Sequence, residues 1–354
     1  MEKHRRLLFV VGSMGGGGAE RVASIFANEL SRKGFDITIA MILDNTVYYD
    51  IDPSVKLVDL TRKSHPYLLN LSYWISKIKQ LHKEMHFDVA ISFFLKGSPL
   101  LFEALKKTDV KMLARESEDP LNSKRGLITK ALLNHYLAKM HAVIFQSEYQ
   151  RKCFSKKIQE KGYIIHNPVS VPEGEIIEFS KRSNVIVDVG RLIPGKRHDL
   201  ILRAFAGFLS KNPDYILNIY GDGIEKENLS NLIKELKLDN HAFLKGTSKN
   251  LHYDIAKSKI FVLASDFEGQ PNALIEAMAL GIPVISSRWN GVEDFVQNNI
   301  NGLVFEKGDL ESLIKSFETI TRETDLSQSF VEKANQTRKN FSLETIIDKW
   351  LKLF

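Results

Sequence analysis

Ile260-Phe-Val-Leu-Ala264-Ser-Asp266-Phe-Glu268-Gly-Gln-Pro271-Asn272-Ala273-Leu274-Ile-Glu276-Ala-Met-Ala-Leu-Gly281-Ile-Pro283-Val-Ile-Ser286 places a strand, a loop, a helix and a second strand in 27 consecutive residues. The apolar run 260–264 has strand length, Pro271 suits the first turn of a helix, and Gly281 with Pro283 marks the exit into the strand 283–286. Two strands joined through a helix pair in parallel. The same alternation spreads outward in both directions. Before it lie strand-like runs at 184–189, 216–220 and 242–244; in the first half, runs at 7–11, 36–43, 89–94, 112–114, 143–146 and 163–166 are separated by helical stretches such as 19–32. The fold class is therefore α/β, and the 354 residues exceed the ~250–300 at which one core stops growing, so two doubly wound lobes are expected. The boundary belongs near Asn167 and Pro168, because Pro168 and Pro172 interrupt regular structure and the strand series restarts at Asn184.

Composition narrows the class. With 44% hydrophobic and 26% charged residues the chain is an ordinary folding protein, not a disordered or low-complexity one. Its single cysteine, Cys153, forms neither an internal disulfide nor a cysteine zinc site, which suits a reducing compartment; a cytoplasmic location is expected. No stretch approaches the ~18 apolar residues of a spanning helix, and 7–11 is too short for the core of an export signal. The net charge of +6 is one-sided: residues 1–180 hold 26 Lys and Arg against 20 Asp and Glu, while the remainder holds 23 of each. A basic first half serves an anionic lipid, a phosphorylated substrate or nucleic acid, and composition does not choose among them.

Four stretches offer chemistry. Around 271, the free N–H groups near Asn272, Ala273 and Leu274 face the carboxyl end of the sheet, where a phosphate is readily held. Glu268, just before that helix, is placed to accept from sugar hydroxyls, and Glu276, one turn inside, from a ribose diol. Gly190-Arg191-Leu-Ile-Pro-Gly195-Lys196-Arg197 follows the strand 184–189, and its planar Arg fork and Lys point charge fit a departing diphosphate. Gly12-Ser-Met-Gly15-Gly16-Gly17-Gly18-Ala19-Glu20 joins a strand to a helix; it reads either as a ligand turn or as a packing turn, and it is neither a P-loop nor a dinucleotide fingerprint. Asp50-Ile-Asp52, beside Pro53, reads as an acidic turn and not a metal site, and His82 with His86 as exposed neighbours on a basic helix, so no metal is expected. Two basic amphipathic segments, 68–81 with Trp74 and 124–139 with Leu127, Ile128, Leu132 and Leu133, fit a membrane interface or a core-facing helix alike.

The ordered set resembles the retaining GT-B glycosyltransferases of glycosyltransferase family 4, over nearly the whole chain. Glu268 and Glu276 reproduce that family's Glu-x7-Glu pair; Gly16-Gly17-Gly18-Ala19-Glu20-Arg21 is similar to its N-terminal glycine turn, Gly190-Arg191 with Lys196 to its diphosphate clamp, and Tyr220-Gly221-Asp222-Gly223 to its Gly-x-Gly turn. Phe243-Leu-Lys-Gly246 resembles the segment before the base pocket, and Asn301-Gly302-Leu303-Val304 a late turn. Arg115-Glu116-Ser117-Glu118-Asp119-Pro120 departs from the family order Ser-Glu-His or Ser-Glu-Arg, with Arg115 and Ser117 exchanged, so Arg115 stands where the family's cation is displaced.

The resemblance implies two Rossmann-like lobes with a cleft between them: 1–168 for the acceptor, 169–337 for the donor, and 338–354 packing back on the first lobe. It implies transfer of a hexose or N-acetylhexosamine from a nucleotide-diphosphate sugar, UDP preferred, to a lipid-linked or surface-polysaccharide glycan, without metal or other cofactor and without nucleic acid. Arg191, Lys196, Glu268, Arg115 and Glu116 are then the catalytic candidates. Gly16, Gly17, Gly18, Gly190, Gly221, Gly246, Asn272, Ala273, Leu274 and Glu276 are the donor-binding ones, and peripheral contact of the first lobe with an anionic membrane is expected. A sugar-nucleotide binder without turnover and a Rossmann oxidoreductase are the rival readings.

Overall fold

The computed structural model of the chain describes residues 5–15, 18–62, 67–123, 125–172 and 174–354. It divides into two units, Met1–Asn167 with Ile346–Phe354, and Pro168–Thr345. The first holds a parallel sheet of seven strands: β1 (Arg6–Val11), β2 (Asp36–Met41), β3 (Lys56–Asp59), β4 (Val89–Ser92), β5 (Lys111–Arg115), β6 (Ala142–Phe145) and β7 (Gly162–Ile164), in the order β3-β2-β1-β4-β5-β6-β7. β1 is buried along five of its six residues, as a central strand covered by helices on both faces must be. One face is closed by Leu8, Val10, Ala90 and Val143 packing against Trp74, Ile78 and Leu101. The last nine residues belong here too: the Trp350 ring lies 5.2 Å from Phe26 and 6.1 Å from Phe93, and Lys111 Nζ donates to the Phe354 carbonyl at 2.8 Å.

The second unit repeats the plan with β8 (Ser183–Val189), β9 (Ile216–Tyr220), β10 (Ala242–Gly246), β11 (Ser258–Leu263), β12 (Val284–Ser287) and β13 (Leu303–Phe305), all parallel, in the order β10-β9-β8-β11-β12-β13. Its two faces carry separate apolar layers, one around Phe205, Phe208 and Phe317, the other around Phe261, Leu274 and Trp289. The expected strands are present in order. β3 and β13 are additional: each is a short edge strand, and β3 exposes Lys56, Leu57 and Asp59, so it lacks the apolar run that marks its neighbours. The expected run 163–166 forms β7 one residue earlier, at Gly162–Ile164.

The order places a reversal between β8 and β11. From β8 the chain crosses toward β9 on one side, and from β11 toward β12 on the other, so the two outgoing loops diverge and leave a crevice at the carboxyl end of the sheet. Those loops are the ones that carry Arg191 and Lys196, and Glu268 ahead of the helix that opens at Asn272.

Candidate active site

The loop after β8 is built by backbone pairing. Gly190 N donates to Tyr220 O at 2.9 Å and Leu192 N to Asp222 O at 2.9 Å, while Gly221 N donates to Gly246 O at 2.8 Å. Three loops are thus stitched side by side. At Gly221, with φ +142°, a Cβ would stand 1.9 Å from the Gly190 carbonyl oxygen; at Gly223, φ +159°, it would stand 2.3 Å from that of Leu192. Only glycine permits this approach.

Arg191 is exposed, and its guanidinium has no partner among the described residues, whereas its carbonyl accepts from His198 Nε2 at 3.0 Å. The other nitrogen of His198, Nδ1, lies 2.5 Å from Asp188 Oδ2, with the two side chains 1% and 2% exposed. Both ring nitrogens face acceptors, so both carry protons and the ring is an imidazolium. Burial works against that charge, but the Asp188 carboxylate and the Arg191 carbonyl outweigh it and hold the pKa above the ordinary histidine value. A buried ion pair therefore fixes the backbone from which the free Arg191 cation projects.

Lys196 is not free. Its Nζ donates to Glu268 Oε1 at 2.5 Å, and Ser265 Oγ donates to the same oxygen at 2.6 Å. Ser265 is itself held, its carbonyl accepting from Ser287 Oγ at 2.6 Å. Asp266 N donates to Gly195 O at 2.9 Å, so the loops after β8 and β11 are joined by backbone as well as by the ion pair. The helix Asn272–Ala279 follows, and its first intrahelical bond is Ile275 N to Pro271 O at 3.1 Å; the N–H groups of Ala273 and Leu274 are not used by the helix. Glu276 is buried, with Oε2 3.1 Å from His252 Nε2.

The sequence-derived residues thus fall into groups. Lys196 and Glu268 meet, Arg191 lies in the same loop as Lys196 with its guanidinium touching neither, Asn272, Ala273, Leu274 and Glu276 follow on the helix, and Gly190, Gly221 and Gly246 join the neighbouring loops. His198, Asp188 and His252 were not anticipated. A signal for the first pair existed: Asp188 interrupts the apolar strand Val185-Ile-Val-Asp188-Val189, and a charge there calls for a buried partner. Nothing in the sequence marks His252.

In the first unit Gly16 and Gly17 lie outside the described residues. Gly18 opens the helix Gly18–Arg32, and a Cβ there would meet nothing within 4 Å. Arg115 ends β5 and is 1% exposed; Nη2 donates to Asn167 Oδ1, and the guanidinium lies 5.9 Å from the Phe93 ring centroid. Burial lowers its pKa to about 10, against the opposing pull of Glu116 and Glu20, so it stays cationic at neutral pH. Glu116 is fully buried: Oε1 accepts from the Ser117 and Glu118 amides, and Arg125 grips both carboxylate oxygens at 2.5 and 2.9 Å. Both side chains are thus engaged internally, and within 115–120 the exposed carboxylate is Glu118, the half-exposed hydroxyl Ser117. Asp50 is exposed, and Asp52 Oδ1 accepts from the Ser54 amide and hydroxyl, the geometry of a turn. Among the described residues no group of three His, Cys, Asp or Glu side chains is placed to hold a metal ion.

Residues 173–337 match the family described as glycosyl transferases group 1. Over 349 residues the chain is 26% identical to an uncharacterized glycosyltransferase of Haemophilus influenzae, covering 97% of each chain. It is also 26% identical over 353 residues to the N-acetylgalactosamine-N,N'-diacetylbacillosaminyl-diphospho-undecaprenol 4-alpha-N-acetylgalactosaminyltransferase of Campylobacter jejuni, covering 95% of this chain and 96% of that one. Among solved structures it superposes with a TM-score of 0.80 and 16% identity on Staphylococcus aureus TarM in complex with fondaparinux, alpha-GlcNAc-glycerol and UDP. On Anabaena HepE in complex with UDP and glucose the values are 0.78 and 18%, and both superpositions cover 99% of each chain. The fold is GT-B.

Proposed function

We propose that this chain is a glycosyltransferase of the group 1 kind and moves a hexose or N-acetylhexosamine from a UDP-sugar to a lipid-linked or surface-polysaccharide glycan, with retention at the anomeric carbon. The observation that carries the reading is the unpaired Arg191 cation on a backbone pinned at the carboxyl end of β8, beside the joined Lys196–Glu268 loops and the unused N–H groups of Ala273 and Leu274. A diphosphate supplies the negative charge that this cluster lacks: two phosphate groups span a cation and a helix N-terminus.

In this mechanism Arg191 and Lys196 stabilise the charge that grows on the leaving diphosphate, and no metal is needed for that task. Lys196 then turns part of its charge from Glu268 to the phosphate, which frees Glu268 Oε1 to accept from a hydroxyl of the transferred sugar. Glu276 receives the ribose diol, with His252 as the neighbour that the nucleotide displaces or shares. The departing diphosphate takes the proton of the acceptor hydroxyl, so the protein supplies no base. The named activity of the Campylobacter relative, which acts on an undecaprenyl-diphosphate glycan, supports the acceptor class, and the UDP bound in TarM and HepE supports the nucleotide.

The test is a donor screen. UDP, GDP and their hexose and N-acetylhexosamine conjugates are titrated by calorimetry, and the tightest donor is incubated with a polyprenyl-diphosphate glycan. UDP binding with transfer to the glycan is the expected result. Preference for GDP overturns the nucleotide assignment, and tight binding without any product under those conditions overturns transfer to that acceptor class.

A further inference from the structure

The two basic amphipathic segments that sequence leaves equivalent are separated by the structure. The helix Tyr67–Met85 turns Trp74, Ile78 and Leu81 inward, and Trp74 Nε1 donates to the Leu60 carbonyl at 2.9 Å, so that stripe is core. The helix Leu127–Leu137 does the opposite. It buries only Leu133 and Leu137, and presents Leu127 at 86%, Ile128 at 87% and Leu132 at 49% exposure; Ala131 and His135 complete the same outward stripe, and Leu121, 59% exposed, lies in the loop before it. Spacing of one, four and five residues puts these side chains on one face.

Within the segment itself the charge has one sign, while two acids border it: Glu103, which accepts from Tyr136 Oη at 3.2 Å, and the exposed Glu118, which is paired with Arg125. Residues 120–139 contain Lys124, Arg125, Lys130 and Lys139 and no Asp or Glu. Lys124 lies outside the described residues, and Arg125 is spent on Glu116 and Glu118. Lys130 is half-exposed and lines a shallow groove with Pro120, Leu121, Leu133, Asn134 and Phe154. Lys139 is exposed, resting over the rings of Phe102 and Tyr136. Water is a poor partner for the apolar ridge, and a polar protein surface does not fill the groove beside it. A lysine-flanked apolar ridge matches a bilayer whose headgroups are anionic: the leucines enter the acyl boundary while the ammonium groups stay at headgroup level.

We infer that the helix Leu127–Leu137 and the preceding Leu121 dock this protein on an anionic membrane surface. No helix among the described residues is long and apolar enough to cross a membrane, so the contact is interfacial. The inference stands independently of donor and acceptor chemistry.

The test is co-sedimentation with vesicles of phosphatidylcholine alone or mixed with phosphatidylglycerol, containing no isoprenoid lipid and no nucleotide, so that failure here leaves the transfer reaction untouched. The intact chain is expected to pellet with the mixed vesicles, at least about tenfold more weakly with phosphatidylcholine alone, and more weakly as salt rises. Leu127→Ser with Ile128→Ser is expected to cut binding by about tenfold or more. Thermal unfolding checks that the variant is folded, and Ile300→Ser, which removes an exposed isoleucine elsewhere, should bind as the parent does. Equal binding by the double variant, equal binding to both vesicle types, or no binding by the parent overturns the proposal. So does a parent that sediments as a dimer which the double variant abolishes, since the ridge would then belong to a second copy.

Discussion

Replacing His198 with alanine is expected to cost about 3–5 kcal/mol of stability, the usual price of leaving one member of a buried ion pair without the other. The magnitude follows from the site: the two side chains are almost fully buried, Nδ1 and Asp188 Oδ2 are 2.5 Å apart, and Nε2 holds the Arg191 carbonyl at 3.0 Å. Alanine strands the Asp188 carboxylate, buried near the carboxyl end of β8. Asp188→Asn is milder, about 1–2 kcal/mol, because an asparagine amide donates to Nδ1 and a neutral ring still donates through Nε2; what disappears is the charge. The two states of the pair also respond to pH. The folded pKa of His198 is raised, so the stabilisation is complete below the unfolded value of about 6.5 and is lost as pH rises through the folded value. The gap between parent and Asp188→Asn is therefore widest near pH 6 and narrows at higher pH. Urea unfolding of parent and both variants at half-unit steps from pH 6 to 9 measures it. A gap that does not change with pH, or a His198→Ala loss below about 1 kcal/mol, refutes the imidazolium assignment. The same variants report on function: since His198 holds the carbonyl of Arg191, both should weaken UDP in calorimetry at pH 7.

Arg191→Ala should lower kcat by roughly 100-fold, on the order of 3 kcal/mol in the barrier, with an unchanged melting temperature, because the exposed guanidinium has no partner among the described residues. Glu268→Gln should chiefly slow transfer and blur discrimination among donor sugars, whereas Glu276→Gln should also weaken free UDP by about 1.5–3 kcal/mol; calorimetry on both variants that finds equal losses reverses the assignment. Gly221→Ala should destabilise by on the order of 3 kcal/mol, since its Cβ lands on the Gly190 carbonyl, while Gly18→Ala, with open space at Cβ, should be neutral or slightly stabilising in thermal melts. Chelation with EDTA should leave initial rates unchanged; restoration of a lost rate by Mg²⁺, abolished in Asp50→Asn, would bring a metal into the reaction.

How much of this was legible in the sequence depends on what a pattern records. The central strands announce themselves because both faces are buried: β1 reads Arg-Leu-Leu-Phe-Val-Val and β11 Ser-Lys-Ile-Phe-Val-Leu, continuous apolar runs that no surface segment would carry. β3, Lys-Leu-Val-Asp at a sheet edge, carries no such mark, and neither does the three-residue β13. The site was legible for a related reason. Strand order puts the loops after β8 and β11 at the reversal of the sheet, so charged residues following those two runs had to share the crevice whatever their side chains did.

What the pattern does not record is the partner of a group. Arg191 and Lys196 read as an equivalent pair of cations, yet one is unpaired and the other is held by Glu268 at 2.5 Å, a distinction made by Ser265 and the Gly195–Asp266 backbone bond. The helices at 67–85 and 127–137 carry comparable apolar stripes and lysines, yet one stripe meets Leu60 and the sheet while the other meets solvent. Periodicity states that a face is apolar and is silent on what covers it; that is fixed by where the crossover connections lay the helix. A charge inside a strand is the converse case. Asp188 among valines cannot be left unpaired at the observed burial, so the sequence demands a partner even though it does not name one. The first turn of the helix after the next loop is the nearest segment that parallel βα topology returns to the end of the strand, and His198 is its first residue. A buried acid near the carboxyl end of such a strand thus directs the search for its counter-ion to the start of the following helix, and here that counter-ion also holds the backbone of the residue proposed to meet the diphosphate.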